Sequence, residues 1–133
     1  MKLSSRSEYA LLALVYLGRQ TPEQHTSVEK IAQAQAIPPK FLEQILLTLK
    51  RGGYLASLKG QRGGYRLAKA ADTITIAEIV RLLDGPLAPS ETVSKNFYRA
   101  TPIQKEAALV ALFTRVRDCV LEIMEKTTLA DLL

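Results

Sequence analysis

Two sets of side chains in this sequence are spaced to do chemistry, and both fall between Ile37 and Asp72. The first is Pro39, Lys40, Phe41, Glu43 and Gln44, which open a helical stretch behind the turn Ile37-Pro38-Pro39. Lys40 can donate to guanine acceptors or to a phosphate, Glu43 can accept from a cytosine amino group, and Gln44 can pair with adenine. The second is Lys59-Gly60-Gln61-Arg62-Gly63-Gly64, cations on a glycine-rich turn, with Lys50 just upstream. Such a tip suits phosphate tracking or entry into a narrow minor groove. Lys2, Ser5 and Arg6, at the start of the first helical stretch, are weaker candidates for phosphate contact, since helix N-termini favour anions.

Charge placement supports that reading. The segment from Ile37 to Asp72 holds seven cations and two anions, an excess equal to the whole net charge of +5. Elsewhere cations and anions balance. A protein that is merely basic spreads its charge, whereas an anion-binding face concentrates it.

Other chemistries find little support. One cysteine and one histidine, Cys119 and His25, give no metal site and no nucleophile–base pair, so no catalytic residues and no enzyme are expected. A single cysteine also rules out an internal disulfide. The start MKLSSRSEYALLALVYLG has basic residues before an apolar run, but Glu8 interrupts it and no small-residue cleavage site follows. No apolar run approaches the ~20 residues that span a bilayer. A cytoplasmic protein without membrane contact is expected.

The elements that must position these residues follow from periodicity. A first helix is expected over about Ser5 to Gln20, capped by Ser4 or Ser5, with Tyr9, Leu12, Ala13, Tyr16 and Leu17 at helical spacing. Thr26 and Glu29 have capping-box spacing before a short helix through Ile31, Ala32 and Ala36. Phe41, Leu42, Ile45, Leu46 and Leu49 make one apolar face of the next helix, which Gly52-Gly53 ends. Phe41 is expected to join the core rather than touch a thymine methyl. Glu43 has its own alternative, an ion pair with Lys40 or Lys50 on the helix surface. Tyr54 to Leu58 and Tyr65 to Leu67 read as a hairpin, with Tyr65 packing it onto the domain. A helix-turn-helix followed by a basic hairpin is a winged helix-turn-helix.

Downstream, Thr75 and Glu78 form another capping box, and Pro86 to Ala100 shows no period, as functional or disordered loops do. Thr101-Pro102 restarts helix to about Lys126. Along it Leu109, Leu112, Val116, Cys119 and Ile123 repeat at three and four, a seam suited to a second copy of the chain, with Phe113, Val120 and Met124 as a second stripe. Cys119 is expected to be an inert seam residue. The fold class is therefore mainly α with a small β-hairpin wing. It divides into a winged helix-turn-helix domain over 1–84, a sensor-type loop over 85–101, and a dimerisation helix with a C-terminal turn over 102–133.

In order and spacing, Met1-Lys2-Leu3-Ser4 with Tyr9-Ala10, Ile31-Ala32, Phe41-Leu42-Glu43-Gln44-Ile45-Leu46, Arg62-Gly63-Gly64-Tyr65-Arg66-Leu67 and Thr128-Leu129-Ala130-Asp131-Leu132 resemble the Rrf family of bacterial winged-helix transcription factors, the IscR-, NsrR- and CymR-like regulators. The resemblance covers nearly the whole chain. It implies a homodimer with crossing long helices, two winged domains on a pseudo-palindromic operator in double-stranded DNA, and a sensing site in the loop before the long helix. Cluster-binding relatives carry three cysteines in that loop. Residues 86–101 here hold neither cysteine nor histidine, only hard oxygens such as Ser90, Glu91, Thr92 and Ser94. Iron–sulfur clusters need thiolates, so no such cofactor is expected. The loop does not select between a small-molecule effector, a protein effector and disorder. The expectation is a DNA-binding regulator, a repressor in sign. The alternative is a winged-helix interaction module docking an acidic partner without binding DNA.

Overall fold

The computed structural model describes residues 1–133. Helix α1 spans Ser5–Gly18, α2 Val28–Gln35 and α3 Pro39–Arg51. Strands β1 (Leu55–Leu58) and β2 (Gly64–Leu67) then pair antiparallel, Leu55 opposite Leu67 and Leu58 opposite Gly64. Helix α4 covers Ile76–Asp84 and α5 Ala107–Lys126.

The main core lies between α1, α2, α3 and the hairpin. From α3 it takes Leu42, Ile45, Leu46 and Leu49, all fully buried, each contributing about 1.5–3 kcal/mol. The C-terminal turn belongs to the same core: Leu129 is fully buried, its N–H donates to Ile74 O at 2.8 Å, and Thr128 bridges Thr75. A smaller cluster of Ala77, Val80, Leu87 and Leu121 joins α4 to α5.

Capping chemistry sets the helix starts. The Ser4 hydroxyl caps α1, accepting from Ser7 N, and it also donates to the Asp84 carboxylate. Partial burial disfavours the charged form of Asp84, but bonds from Ser4 and the nearby Arg6 charge outweigh it and hold the carboxyl below the usual aspartate range. The capping box of Thr75 and Glu78 forms as expected.

Four local expectations are corrected, and one alternative left open for the loop before α5 is narrowed. The buried stripe of α1 is Ser7, Ala10, Ala13, Leu14 and Leu17, so Leu12 faces outward, and the helix stops at Gly18 rather than Gln20. Ser27, not Thr26, caps α2, because Thr26 is committed to a β-bridge with Tyr65. Ala36 lies outside α2, closing it in a left-handed conformation at φ 55°. The stretch after Thr101 opens with a 3₁₀ turn over Pro102–Lys105, and α5 begins only at Ala107. Residues 86–101 form a pinned loop rather than a disordered one: Leu87, Thr92, Val93 and Ser94 are buried, and Arg117 donates to Val93 O at 2.9 Å.

Candidate nucleic-acid interface

Helix α3 turns one face inward and leaves another entirely to solvent. Its apolar residues at 42, 45, 46 and 49 fix the rotation, and Pro39, Lys40, Phe41, Glu43 and Gln44 are all exposed as a result. Phe41 corrects the expectation that it joins the core: it is 62% exposed, one position ahead of the buried stripe. An exposed phenylalanine beside a glutamate and a lysine offers apolar contact to a thymine methyl. The surface-pair alternative for Glu43 does not form, since no cation lies within 4 Å of its carboxylate. Pro38 supplies no side-chain cap to α3, so the helix meets its surroundings with open first-turn N–H groups.

The wing is held by backbone. Thr26 and Tyr65 exchange N–H···O bonds, each 2.8 Å, a single β-bridge that ties the segment before α2 to β2. Gly64 permits this: it sits at φ 144°, and a Cβ there would lie 2.1 Å from Thr26 O. Gly60, at the tip, has φ 113°. Gly63, although part of the same glycine-rich turn, has no positive φ; it is needed because a Cβ would come within 2.1 Å of Leu58 O. Lys59, Gln61 and Arg62 are exposed at the tip, and half-buried Tyr65 packs on the core. At the wing's base the Lys69 ammonium stands 4.9 Å from the centre of the Tyr54 ring. Burial, then the Glu78 carboxylate, push the Tyr54 phenol up to about 12.

Between wing and helices lies a groove of about 400 Å³, reached by Ser27 at the cap of α2, Val28 from α2, Leu47 and Lys50 from α3, and Ser57 and Lys59 from the hairpin. The sequence reading missed Ser27 and Ser57 as lining residues. Ser27 is itself a favoured N-cap residue, but the Thr26 to Glu29 spacing pointed one position earlier.

Electrostatically the cations of α3 and the wing tip stand without carboxylate partners, whereas Lys69 at the wing's base acts on the Glu78 carboxylate. The four ion pairs of the chain, Arg81–Glu125, Arg99–Glu91, Arg117–Asp118 and Lys126–Glu122, all lie beyond residue 80. None of Lys40, Lys50, Arg51, Lys59, Arg62, Arg66 and Lys69 belongs to one. Lys2, Ser5 and Arg6 are exposed at the start of α1, but Arg6 faces Asp84 rather than standing free.

On α5 the spacing sorts as expected into two faces. Phe113, Val120 and Met124 are half-buried against the body, with fully inward Leu121 between them. Leu109, Leu112, Val116, Cys119 and Ile123 face out, Ile123 being 66% exposed. No group of three or more histidine, cysteine or acidic side chains stands close enough to hold a metal ion. No helix is long and apolar enough to cross a membrane.

Residues 3–133 match the family described as Rrf2, iron-dependent transcriptional regulator. The chain is 35% identical over 132 residues to the HTH-type transcriptional regulator CymR of Bacillus subtilis, covering 99% of this chain and 89% of that one. It is 36% identical over 137 residues to a putative rrf2-like HTH-type regulator of Rhodobacter capsulatus, covering 98% and 91%. Among solved structures it is similar to CymR, the global cysteine regulator of B. subtilis, with TM-score 0.80 and 33% identity over 99% of this chain and 95% of that one. It is also similar to IscR of T. potens, with TM-score 0.76 and 26% identity over 99% and 85%.

Proposed function

The chain belongs to the Rrf2 family of transcriptional regulators, and from that premise we propose that it acts as a homodimeric repressor reading a pseudo-palindromic operator. It is a DNA-binding transcriptional regulator with a winged helix-turn-helix. In the proposed complex the first turns of α3 enter the major groove, where Lys40, Phe41, Glu43 and Gln44 meet base edges beside Pro39. Lys59, Gln61 and Arg62 carry the wing, Gly60, Gly63 and Gly64 shape it, and Lys50 meets the backbone. Lys2 and Ser5 are peripheral contacts. The observation carrying this reading is that Lys40, Lys50, Arg51, Lys59 and Arg62, all exposed on α3 and the wing, belong to no ion pair, and that Glu43 among them belongs to none either. Surface charges left unpaired over one contiguous segment suit a polyanion.

The dimer rests on α5, whose outward stripe of Leu109, Leu112, Val116, Cys119 and Ile123 is apolar and uncovered. The protein works in the cytoplasm, where its DNA is. It does so without a cysteine-ligated cluster: the donor set does not suit one, with a lone thiol on α5 and inward hydroxyls, Thr92 and Ser94, in the loop. The docking-module alternative gains nothing from relatives that are transcriptional regulators.

Selection of duplex fragments from a genomic pool by the purified protein, at about 150 mM salt where phosphate binding alone is weak, tests the reading. A recurring two-fold-symmetric sequence is the expected result. Recovery of random fragments overturns it.

A further inference from the structure

Arg66, Arg81 and Arg117 are the half-buried arginines of this chain, and their surroundings differ. Arg81 meets the carboxylate of Glu125, and Arg117 that of Asp118. Arg66 meets none: a single N–H of its guanidinium reaches the Leu67 carbonyl, at 3.3 Å, and the others find no acceptor in the chain. A partly desolvated guanidinium with idle donors is a recognition group for a carboxylate. Arg66 lines a cleft of about 420 Å³ between the end of α1, the loop after it and the chain leaving β2. Small-molecule pockets span roughly 300–1,000 Å³. The cleft shares no residue with the reading face of α3, the wing tip or the outer stripe of α5.

The other wall is a set of acceptors. No basic side chain stands in the last turn of α1. The Gly18 carbonyl accepts no hydrogen bond, because the residue four ahead is Pro22, which has no N–H. Gln20 donates to Tyr16 O at 3.1 Å, which leaves its Oε1 open. Glu23, exposed in the following loop, belongs to no ion pair. A carboxylate beside the carbonyl end of a helix attracts a cation. Neither nearby cation fills that role: Arg19 caps α1 without lining the cleft, and the Lys69 ammonium stands over the Tyr54 ring. Glu23 and Arg66 thus line one cleft without meeting each other. The rest of the lining is mostly apolar, led by Leu17 and Leu67.

We propose that this cleft binds an α-amino acid with an apolar side chain, its carboxylate on Arg66 and its ammonium on Glu23 and the Gly18 carbonyl. A molecule carrying both charges satisfies both walls at once, which a simple anion or cation does not. The cleft also adjoins the tie between wing and helices. Gln24 lies two residues before Thr26, and Arg66 directly follows Tyr65, so the bound molecule braces the Thr26–Tyr65 bridge from the side. The amino acid would then set how firmly the wing is held against α2. That consequence rests on the DNA-binding reading above; the binding itself does not.

Amide proton–nitrogen spectra of the full chain, titrated separately with L-leucine, L-methionine and L-phenylalanine, test the proposal without DNA. At least one should give saturable shifts centred on residues 17–24 and 66–71. The dissociation constant should be about 1 mM or below. Analogues lacking the amine or the carboxylate (isocaproate and isoamylamine in the case of leucine) should bind at least about tenfold more weakly, one charge-assisted contact being lost in each. Arg66→Gln should abolish the shifts. Glu23→Gln, a change on an exposed loop, should keep the fold and reduce the amino acid to the affinity of its deaminated analogue. Isocaproate binding as tightly as leucine would make the cleft an anion site only and overturn the proposal. So would the absence of saturable shifts with all three amino acids. Either result leaves the operator selection untouched, and recovery of random fragments there leaves these titrations unmoved.

Discussion

Glu43 is the side chain on which specificity should turn. It is exposed, has no cation within 4 Å, and lies a turn inside a helix whose neighbours Lys40 and Gln44 are equally free. A carboxylate brought near phosphates loses favourable solvation unless a base amino group replaces it. Glu43→Ala should therefore change the ranking of operator variants, by about 1–3 kcal/mol at the base pair it reads. Arg62→Ala should lower affinity evenly across variants and reduce the log–log salt slope by roughly 0.9. Titrations of both variants on one operator panel at several salt concentrations check this; an unchanged ranking for Glu43→Ala would remove its base-reading role. Asp84 gives a pH-dependent counterpart. Its carboxyl titrates below the usual range despite partial burial, because Ser4 and Arg6 favour the anion. A depressed carboxyl contributes stability that is fully present above the unfolded-chain pKa and is lost as pH falls through the folded value. Asp84→Asn should thus lower the melting temperature at neutral pH, and the difference from the parent should shrink steadily in acid. A constant difference down to the acid limb would show that the Ser4 contact carries no charge-linked stability.

At the scale of elements, the wing depends on a close approach between two backbones. Gly64→Ala forces a Cβ to within 2.1 Å of Thr26 O at a φ of 144°, so either the bridge to Tyr65 opens or the hairpin shifts. A cost of about 1–3 kcal/mol is expected from the strained backbone, and more if the bridge is lost. Gly60→Ala has a similar φ of 113° but nothing within 4 Å of the new methyl, so it should cost less. Thermal melts of both variants check the order; equal destabilisation would mean that φ, not the contact, governs the wing. This contrast marks what the sequence made legible. Glycine at a hairpin tip is readable from local turn chemistry, but the reason for Gly64 is a carbonyl nearly forty residues away. The same holds for Thr26: its capping-box spacing with Glu29 is sound local chemistry, and the β-bridge to Tyr65 overrides it. Phe41 misled because five apolar residues fit one face at helical spacing, yet the core admits only the four on its inner side. The reading helix, the hairpin, the second capping box and the two faces of α5 were legible because each is set by spacing within one element. The groove between α2, α3 and the wing was not, since it belongs to no element.

At the scale of the whole molecule, the proposed homodimer makes affinity and specificity both depend on α5. One winged unit presents a short reading helix and one wing, a small interface by the standards of specific DNA binding. Joining two units makes the second half-site encounter intramolecular, a gain of about 10²–10⁴ that requires no new contact with DNA. The joint must also be stiff, because half-sites are read together only when their spacing matches that of the two α3 helices. The apolar stripe of α5 is suited to this: its inner side is tied to the body through Leu121, the Arg81–Glu125 ion pair and the Arg117 clamp on Val93, so a partner gripping the outer side grips the reading helix as well. Val116→Asp places a charge in the middle of that outer side without touching the core, since Val116 is exposed. The variant should keep its fold, sediment as a monomer, and bind a full operator no better than a half-site. If it binds the full operator with parental affinity, α5 is not the element that joins the two reading units.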